Sequence, residues 1–308
     1  MKRILPSAIL ICCASLSFAQ KDSTSNWTLQ AIYGLKGTQS SFVNWNAGGQ
    51  DNISAIGSIN ASSKYLKGDL KWDSDLALSL GGIDYLSAGS PKGLVKTDDK
   101  IDLATNFGYR MKKDWYYAIL GSFKTQFMDG FATPEDNTRS SKFMVPGYLT
   151  LALGLDYSPN KNFSFFISPL ASKMTFVQDR TFADAGSFGV EAAYIDDAGV
   201  YIAGKKFRGE FGAYVRLKYD KELAKNIFMK SKVELFSNYL DRPENIDVNA
   251  DIIFDFKVNN WFSASLNWTL IYDHDIIFRG VKNGTAYSGP RTQFKSVLGV
   301  GLTHTMKN

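Results

Sequence analysis

Thiols are almost missing from this 308-residue sequence: its two cysteines, Cys12 and Cys13, both fall within the first twenty residues. The rest of the chain therefore has no disulfide framework, no metal-thiolate centre and no cysteine nucleophile. Long apolar runs are missing too. Past residue 20 there is no stretch of about eighteen apolar residues, which excludes helical membrane spans. Charge of one sign is in short supply as well, since the formal +5 falls to +3 once Lys2 and Arg3 are set aside. So small and evenly spread a surplus excludes nucleic acid as a partner.

The first segment that is present reads as an address. Lys2 and Arg3 start it, Ile4 to Phe18 is mostly apolar, and Ser17-Phe18-Ala19 before Gln20 forms a small-x-small cleavage site. Residues 1–19 are thus expected to be a secretory signal peptide, followed by a polar leader over 20–26. Cys12 and Cys13 sit too early, and lack the preceding small residues, for a lipoprotein signal.

From residue 27 onward the dominant pattern has period two. Between Ile227 and Ile276 three strands follow one another, broken by two clusters of turn residues. In the middle strand one face carries Ile246, Val248, Ala250, Ile252, Phe254, Phe256 and Val258. The other carries Asp247, Asn249, Asp251, Asp255 and Lys257. Alternation kept up for about a dozen residues matches the length of a tilted strand crossing a membrane. The apolar face is then expected to meet lipid and the charged face to line a lumen.

The same reading along the chain gives twelve strands near 27–39, 52–66, 69–82, 99–111, 114–128, 147–157, 163–177, 207–219, 227–240, 246–258, 261–275 and 292–306. The expected fold is all-β, a single closed antiparallel transmembrane β-barrel over residues 27–308. An even strand number suits closure. Residues 178–206 leave one alternative open. If Val190 to Ile195 and Gly199 to Ala203 pair as a hairpin inside the membrane, the count becomes fourteen. Their shortness and the Asp196-Asp197 tip favour an extracellular hairpin or a loop folded into the lumen.

Connection lengths alternate between tight joins, such as Lys67-Gly68, Lys112-Lys113 and Asn259-Asn260, and longer ones. Short turns belong to the periplasmic side of such barrels, so both termini are expected there, in the outer membrane of a Gram-negative cell. Tyr65, Trp72, Tyr109, Trp115, Tyr157, Phe163, Tyr219, Phe228 and Trp261 gather near the tight joins, as an aromatic girdle at a lipid interface would.

Candidate chemistry is sparse. The lumen face collects Lys71, Lys124, Arg216, Lys218, Lys230, Lys232, Lys257 and Lys295 against Asp73, Asp75, Asp102, Asp156, Glu210, Glu234, Asp247, Asp251 and Asp255. Nearly matched numbers fit a narrow interior filled by mutual ion pairs, because buried charges must be paired. An open selective pore would favour one sign. Tyr272-Asp273-His274-Asp275 resembles a general-base site, but neighbouring strand residues point to opposite faces, so Asp273 and His274 cannot pair. Asp184, Glu191, Asp196 and Asp197 offer oxygens for calcium without a recognisable ligand spacing. No catalytic, cofactor or metal residue is therefore assigned. Asn44 to Gln50, with its tryptophan and double glycine, reads as a turn or a docking element.

Three blocks carry a resemblance: NWNAGGQ at 44–50, DAGSFGVEAAY at 184–194, and LFSNYLDRPENIDVNADIIFDFKVNNWFSASLNWTLIYDHDI at 235–276. They resemble an uncharacterised family of Bacteroidota outer-membrane proteins known only as a domain of unknown function. The resemblance implies an outer-membrane β-barrel and carries over no site residue. The expectation is a noncatalytic envelope scaffold or partner subunit, in contact with outer-membrane lipid and with an envelope protein. The alternatives are a narrow channel for small polar solutes or ions and, behind it, an outer-membrane hydrolase using His274.

Overall fold

The computed structural model describes residues 25–41, 51–86, 93–131, 138–282 and 285–308. The expected signal peptide, most of the leader and the Asn44–Gln50 segment lie outside them. Among the described residues twelve strands form a closed barrel. They are β1 (Trp27–Ser40), β2 (Asn52–Lys67), β3 (Leu70–Tyr85), β4 (Val95–Lys112), β5 (Trp115–Thr125) and β6 (Gly147–Asn160). The second half comprises β7 (Phe163–Phe176), β8 (Phe207–Ala224), β9 (Ile227–Asn238), β10 (Ile246–Lys257), β11 (Phe262–Tyr272) and β12 (Gln293–Lys307).

Each strand pairs antiparallel with its neighbours in sequence. β12 returns to β1, with Gln30 opposite Lys307 and Gly37 opposite Val300. Among the described residues the barrel has no open edge, which is the condition for a β-structure to sit in hydrocarbon. The tight joins turn through left-handed residues, Gly68 at φ 58° and Asn226 at φ 67°. Some ends differ from the sequence reading. β8 runs on to Ala224, and β11 stops at Tyr272, so Asp273 to Asp275 lie in a turn rather than a strand.

The two faces of the wall are inverted relative to a water-soluble protein. Outward residues such as Leu35, Tyr117, Ile119, Leu153 and Leu298 are exposed and apolar, while the inward Asp102, Asp156, Glu210, Arg216 and Glu234 are buried. A continuous exposed apolar belt of this extent is stable only when hydrocarbon replaces water around it. No helix among the described residues is long and apolar enough to cross a membrane. The crossing is made by strands, and the molecule is a membrane-spanning barrel of the outer-membrane type.

Register shifts occur in several ladders, and those on β7 bear on the interior. The register of β7 slips by one residue against Leu153 and Leu155 of β6, and again against Gly212 and Tyr214 of β8. The extra residue lies around Pro169 and Leu170. Proline has no N–H to give to a ladder, so a mid-strand proline is housed in a bulge. The bulge turns every later side chain of β7 to the opposite face.

At the loop-bearing end, residues 177–206 fold outside the barrel wall. A short helix α1 (Arg180–Asp184) is capped by Asp179, whose carboxylate accepts from the Thr181 N–H at 2.9 Å. Tyr194–Ile195 pairs with Tyr201–Ile202 in a separate two-stranded sheet, so the barrel stays at twelve. Val145, Val177, Ala183 and Val190 form a small buried cluster that joins this segment to residues 138–146, with Phe182 and Phe188 packed on it.

Candidate functional site

The interior is built from inward side chains of strands that face one another across the cylinder. Nearest the tight turns, Lys71 on β3 reaches Asp156 on β6 at 2.7 Å and Asp73 at 3.2 Å. Asp156 also accepts from Ser158 and Ser164, which satisfies a fully buried carboxylate. Next, Lys218 on β8 pairs with Asp75 on β3. At mid-height, Lys124 on β5 pairs with Glu234 on β9, and the Tyr214 hydroxyl donates to the same carboxylate at 2.7 Å. Lys232 on β9 meets Asp102 on β4 at 2.6 Å, and Lys100 on β4 meets Asp251 on β10 at 3.1 Å.

In a ring of twelve, β4 and β10 are diametrically opposed. An extended lysine and an aspartate joined across that diameter hold the two Cα atoms within about 13 Å, given bonds of ~1.5 Å. Eight-stranded barrels are filled by their side chains and porins of about sixteen strands are open, so twelve strands permit either state. In this barrel, ion pairs cross the interior between β4 and β10, β5 and β9, and β4 and β9.

Near the loops a second hub forms on Lys173 of β7. Its ammonium meets Asp247 at 2.6 Å, Asp273 at 3.0 Å and Glu210 at 3.7 Å. Arg208 bridges Asp275 at 2.6 Å and Glu210 at 3.3 Å, and donates to the Gly189 carbonyl, tying residues 177–206 to the barrel rim. Sequence reasoning missed Lys173. By the parity of Phe163 to Ile167 it points to lipid, and only the bulge brings it inside; Pro169 was the signal that could have revealed it.

Other residues on the expected lumen face are placed as follows. Asp255 meets Lys36 at 3.7 Å, and Lys295 meets Asp98 at 2.8 Å. Lys230 stands opposite Asp220 in the β8–β9 ladder. Lys257 lies 4.5 Å above the Phe228 ring, which places Phe228 on the inner face and corrects its assignment to the lipid girdle. Arg216 is buried without an ion pair among the described residues, and its Nε has no partner. Around the tight-turn rim, Trp27 meets Tyr65 and Trp72, and Trp115 meets Tyr157, as tilted ring pairs, and Tyr157 meets Phe163 edge-on. Tyr219 pairs with Phe163 in the ladder, while Tyr109 and Trp261 are exposed.

The remaining candidates are scattered. The His274 ring nitrogens face the Arg242 guanidinium at 3.3 Å and the Tyr272 hydroxyl at 3.4 Å. Asp184 is occupied by Arg180 and the Gly204 N–H, Glu191 by Lys205, and Asp196 by the N–H groups of Ala198 and Val200. The structure does not bring those carboxylates together.

Cavities adjoin the wall, and two of them bear on the interior and its bulge. One, of about 820 Å³, is an apolar recess on the lipid side beside the bulge, lined by Tyr117, Ile119, Leu153, Ile167, Pro169 and Val215. The other, of about 430 Å³, lies towards the loop-bearing end. Its lining includes Lys100, Lys124, Tyr148, Asn249, Asp251 and Lys295, so the mid-height ion pairs form its floor.

Residues 38–131 match the family model described as Protein of unknown function (DUF3078). That segment covers β2 to β5, apart from the 235–276 block that carried the resemblance. No curated protein matches the chain. Among solved structures, the translocator domain of autotransporter NalP from Neisseria meningitidis aligns at 11% identity over 92% of this chain and 90% of that one, with a TM-score of 0.35. The COG4313 outer membrane channel from Pseudomonas putida F1 aligns at 10% identity over 92% and 96%, with a TM-score of 0.38. The toluene transporter TodX of P. putida aligns at 14% identity over 93% and 80%, with a TM-score of 0.30.

Proposed function

We propose that this protein is an integral outer-membrane barrel that is closed at rest and works as a noncatalytic envelope scaffold or partner subunit through its loop-bearing end. On this reading residues 1–19 direct export, both termini face the periplasm, and lipid surrounds the girdle. The observation that carries it is the set of wall-to-wall ion pairs, above all Lys100 with Asp251 across the full diameter. A scaffold needs a stable plug of this kind, because an open lumen would leak solutes whatever the loops do.

Purified protein reconstituted in planar bilayers tests it, with no steady unit conductance expected. A second reading, a narrow channel for small polar solutes or ions, draws on the 430 Å³ cavity above the plug. Steady unit conductance of the wild-type protein would establish that reading and overturn the first. Co-purification from native membranes addresses the scaffold role directly: a stoichiometric envelope partner is expected, and its absence under gentle extraction counts against that role.

A further inference from the structure

The cavity above the plug has a chemical bias that its balanced charge count conceals. Its carboxylates are turned into the wall and already occupied. Asp99, 2% exposed, accepts from the Phe127 and Met128 N–H groups and from Lys96. Asp251, 13% exposed, accepts from Thr269 and Lys100. Asp102, 4% exposed, accepts from Lys232. The lysines behave in the opposite way. Lys100 is 33% exposed and Lys295 45% exposed; among the described residues each makes one hydrogen bond, and Lys100 has a second carboxylate, Asp102, at 3.6 Å. An ammonium has three N–H donors and no acceptor, so both keep donors free.

Free donors facing a cavity whose acceptors are spent select a ligand that brings acceptors of its own. Tyr148 and Asn249, which find no side-chain partner among the described residues, add neutral polar groups to the same wall. We infer that this cavity is a binding site for a small carboxylate-bearing solute, held by Lys100 and Lys295 with Asn249 and Tyr148 beside it. Carboxylate is favoured because charge-assisted N–H···O bonds to ammonium are about twice as strong as neutral ones. A cationic solute finds only carboxylates that are buried and already hold partners of their own. The site shares Lys100 with the ion-pair plug and adds Lys295 from outside it, and both lysines line the cavity while keeping a carboxylate partner.

This inference rests on the closed reading in one respect: the plug supplies the floor that makes the space a pocket rather than a passage. The two are tested separately. Full-length protein in detergent is titrated calorimetrically with succinate, and with the uncharged isostere succinamide, at constant ionic strength. Saturable binding of succinate and none of succinamide is expected. Lys295→Gln, at a half-exposed position outside the plug, should weaken succinate binding at least about tenfold while the protein keeps its heat-modifiable folded form. Asn249→Leu should weaken it less.

Heats from succinate that match sodium chloride of equal ionic strength would overturn the site. So would equal binding of succinamide, or unchanged affinity in folded Lys295→Gln. If bilayer recordings show steady wild-type conductance while succinate binding and its loss in Lys295→Gln persist, the closed reading falls and the site stands. If the barrel is silent and succinate does not bind, only the site falls.

Discussion

Replacing Glu234 by glutamine asks whether the middle of the barrel is dry. The substitution keeps the shape and leaves an amide oxygen for the Tyr214 hydroxyl, so what it removes is the charge facing Lys124 and, at 3.9 Å, Lys232. Lys232 retains Asp102 at 2.6 Å, but Lys124 loses its one ion-pair partner. Lys124 is 22% exposed and Glu234 5%, so little water is at hand to screen the change. Breaking a buried pair from one side costs about 3–5 kcal/mol, against about 0–1 for an exposed pair. The lower end of the buried range already shifts the folding equilibrium by roughly 150-fold, at about 1.4 kcal/mol per decade. Urea unfolding in lipid vesicles, followed by tryptophan fluorescence, measures it. Methionine at both Lys124 and Glu234 should recover most of the loss, because a buried pair replaced by apolar residues is often neutral or stabilising. A loss below about 1 kcal/mol for Glu234→Gln, with the urea dependence unchanged, would mean that the pair sits in high dielectric, and would refute the filled lumen.

Deleting Leu170 should restore strict alternation in β7 and turn Lys173 outwards near the loop-bearing rim, where exposing a lysine to the interface costs about 0–1 kcal/mol; cysteine labelling at position 172 from the aqueous or the lipid phase reports the flip. Gly212→Ala should be destabilising by about 2 kcal/mol or more, because its Cβ would run into the Ser237 carbonyl, whereas Gly121→Ala meets side-chain atoms at 3.5 Å and 3.7 Å and should stay within about 0.5 kcal/mol in the same urea assay. The hydrogen bond from Lys142 holds the Asp179 carboxyl below its ordinary 3.8. A depressed folded-state value means that its contribution is complete above 3.8 and is lost as pH falls through the lower folded value. Pepsin should therefore cut within residues 178–206 slowly at about pH 4.5 and much faster at about pH 2.5, a contrast that shrinks in Asp179→Asn.

What the sequence made legible and what it hid divide along one physical line. Alternation is a local property, so the twelve strands, the tight joins and the inward placement of Asp102, Lys232, Glu234 and Asp251 could be read residue by residue. Which lysine meets which carboxylate is not local. It depends on the stagger accumulated around the ring, and the sequence has no term that sets Lys100 across from Asp251. Bulges compound the difficulty, since one extra residue reverses the meaning of parity for all that follow. Lys173 shows the consequence: it appears as a lipid-facing error in the pattern and is instead the hub joining β7, β8 and β10 to the turn at Asp273. The loop segment 177–206 was legible in part: the pairing of 190–195 with 199–203 was read, and Tyr194–Ile195 does pair with Tyr201–Ile202. Its helix, five residues long, is too short for any period to register, and the segment's place is fixed by the Arg208 bond to Gly189 and by Val145 packing against Val177 and Ala183. A barrel whose wall is written in its sequence and whose contents are written in its stagger tolerates change very unequally: lipid-facing residues can be exchanged for others of like polarity, whereas a single slip of register on β7 rearranges four charges at once.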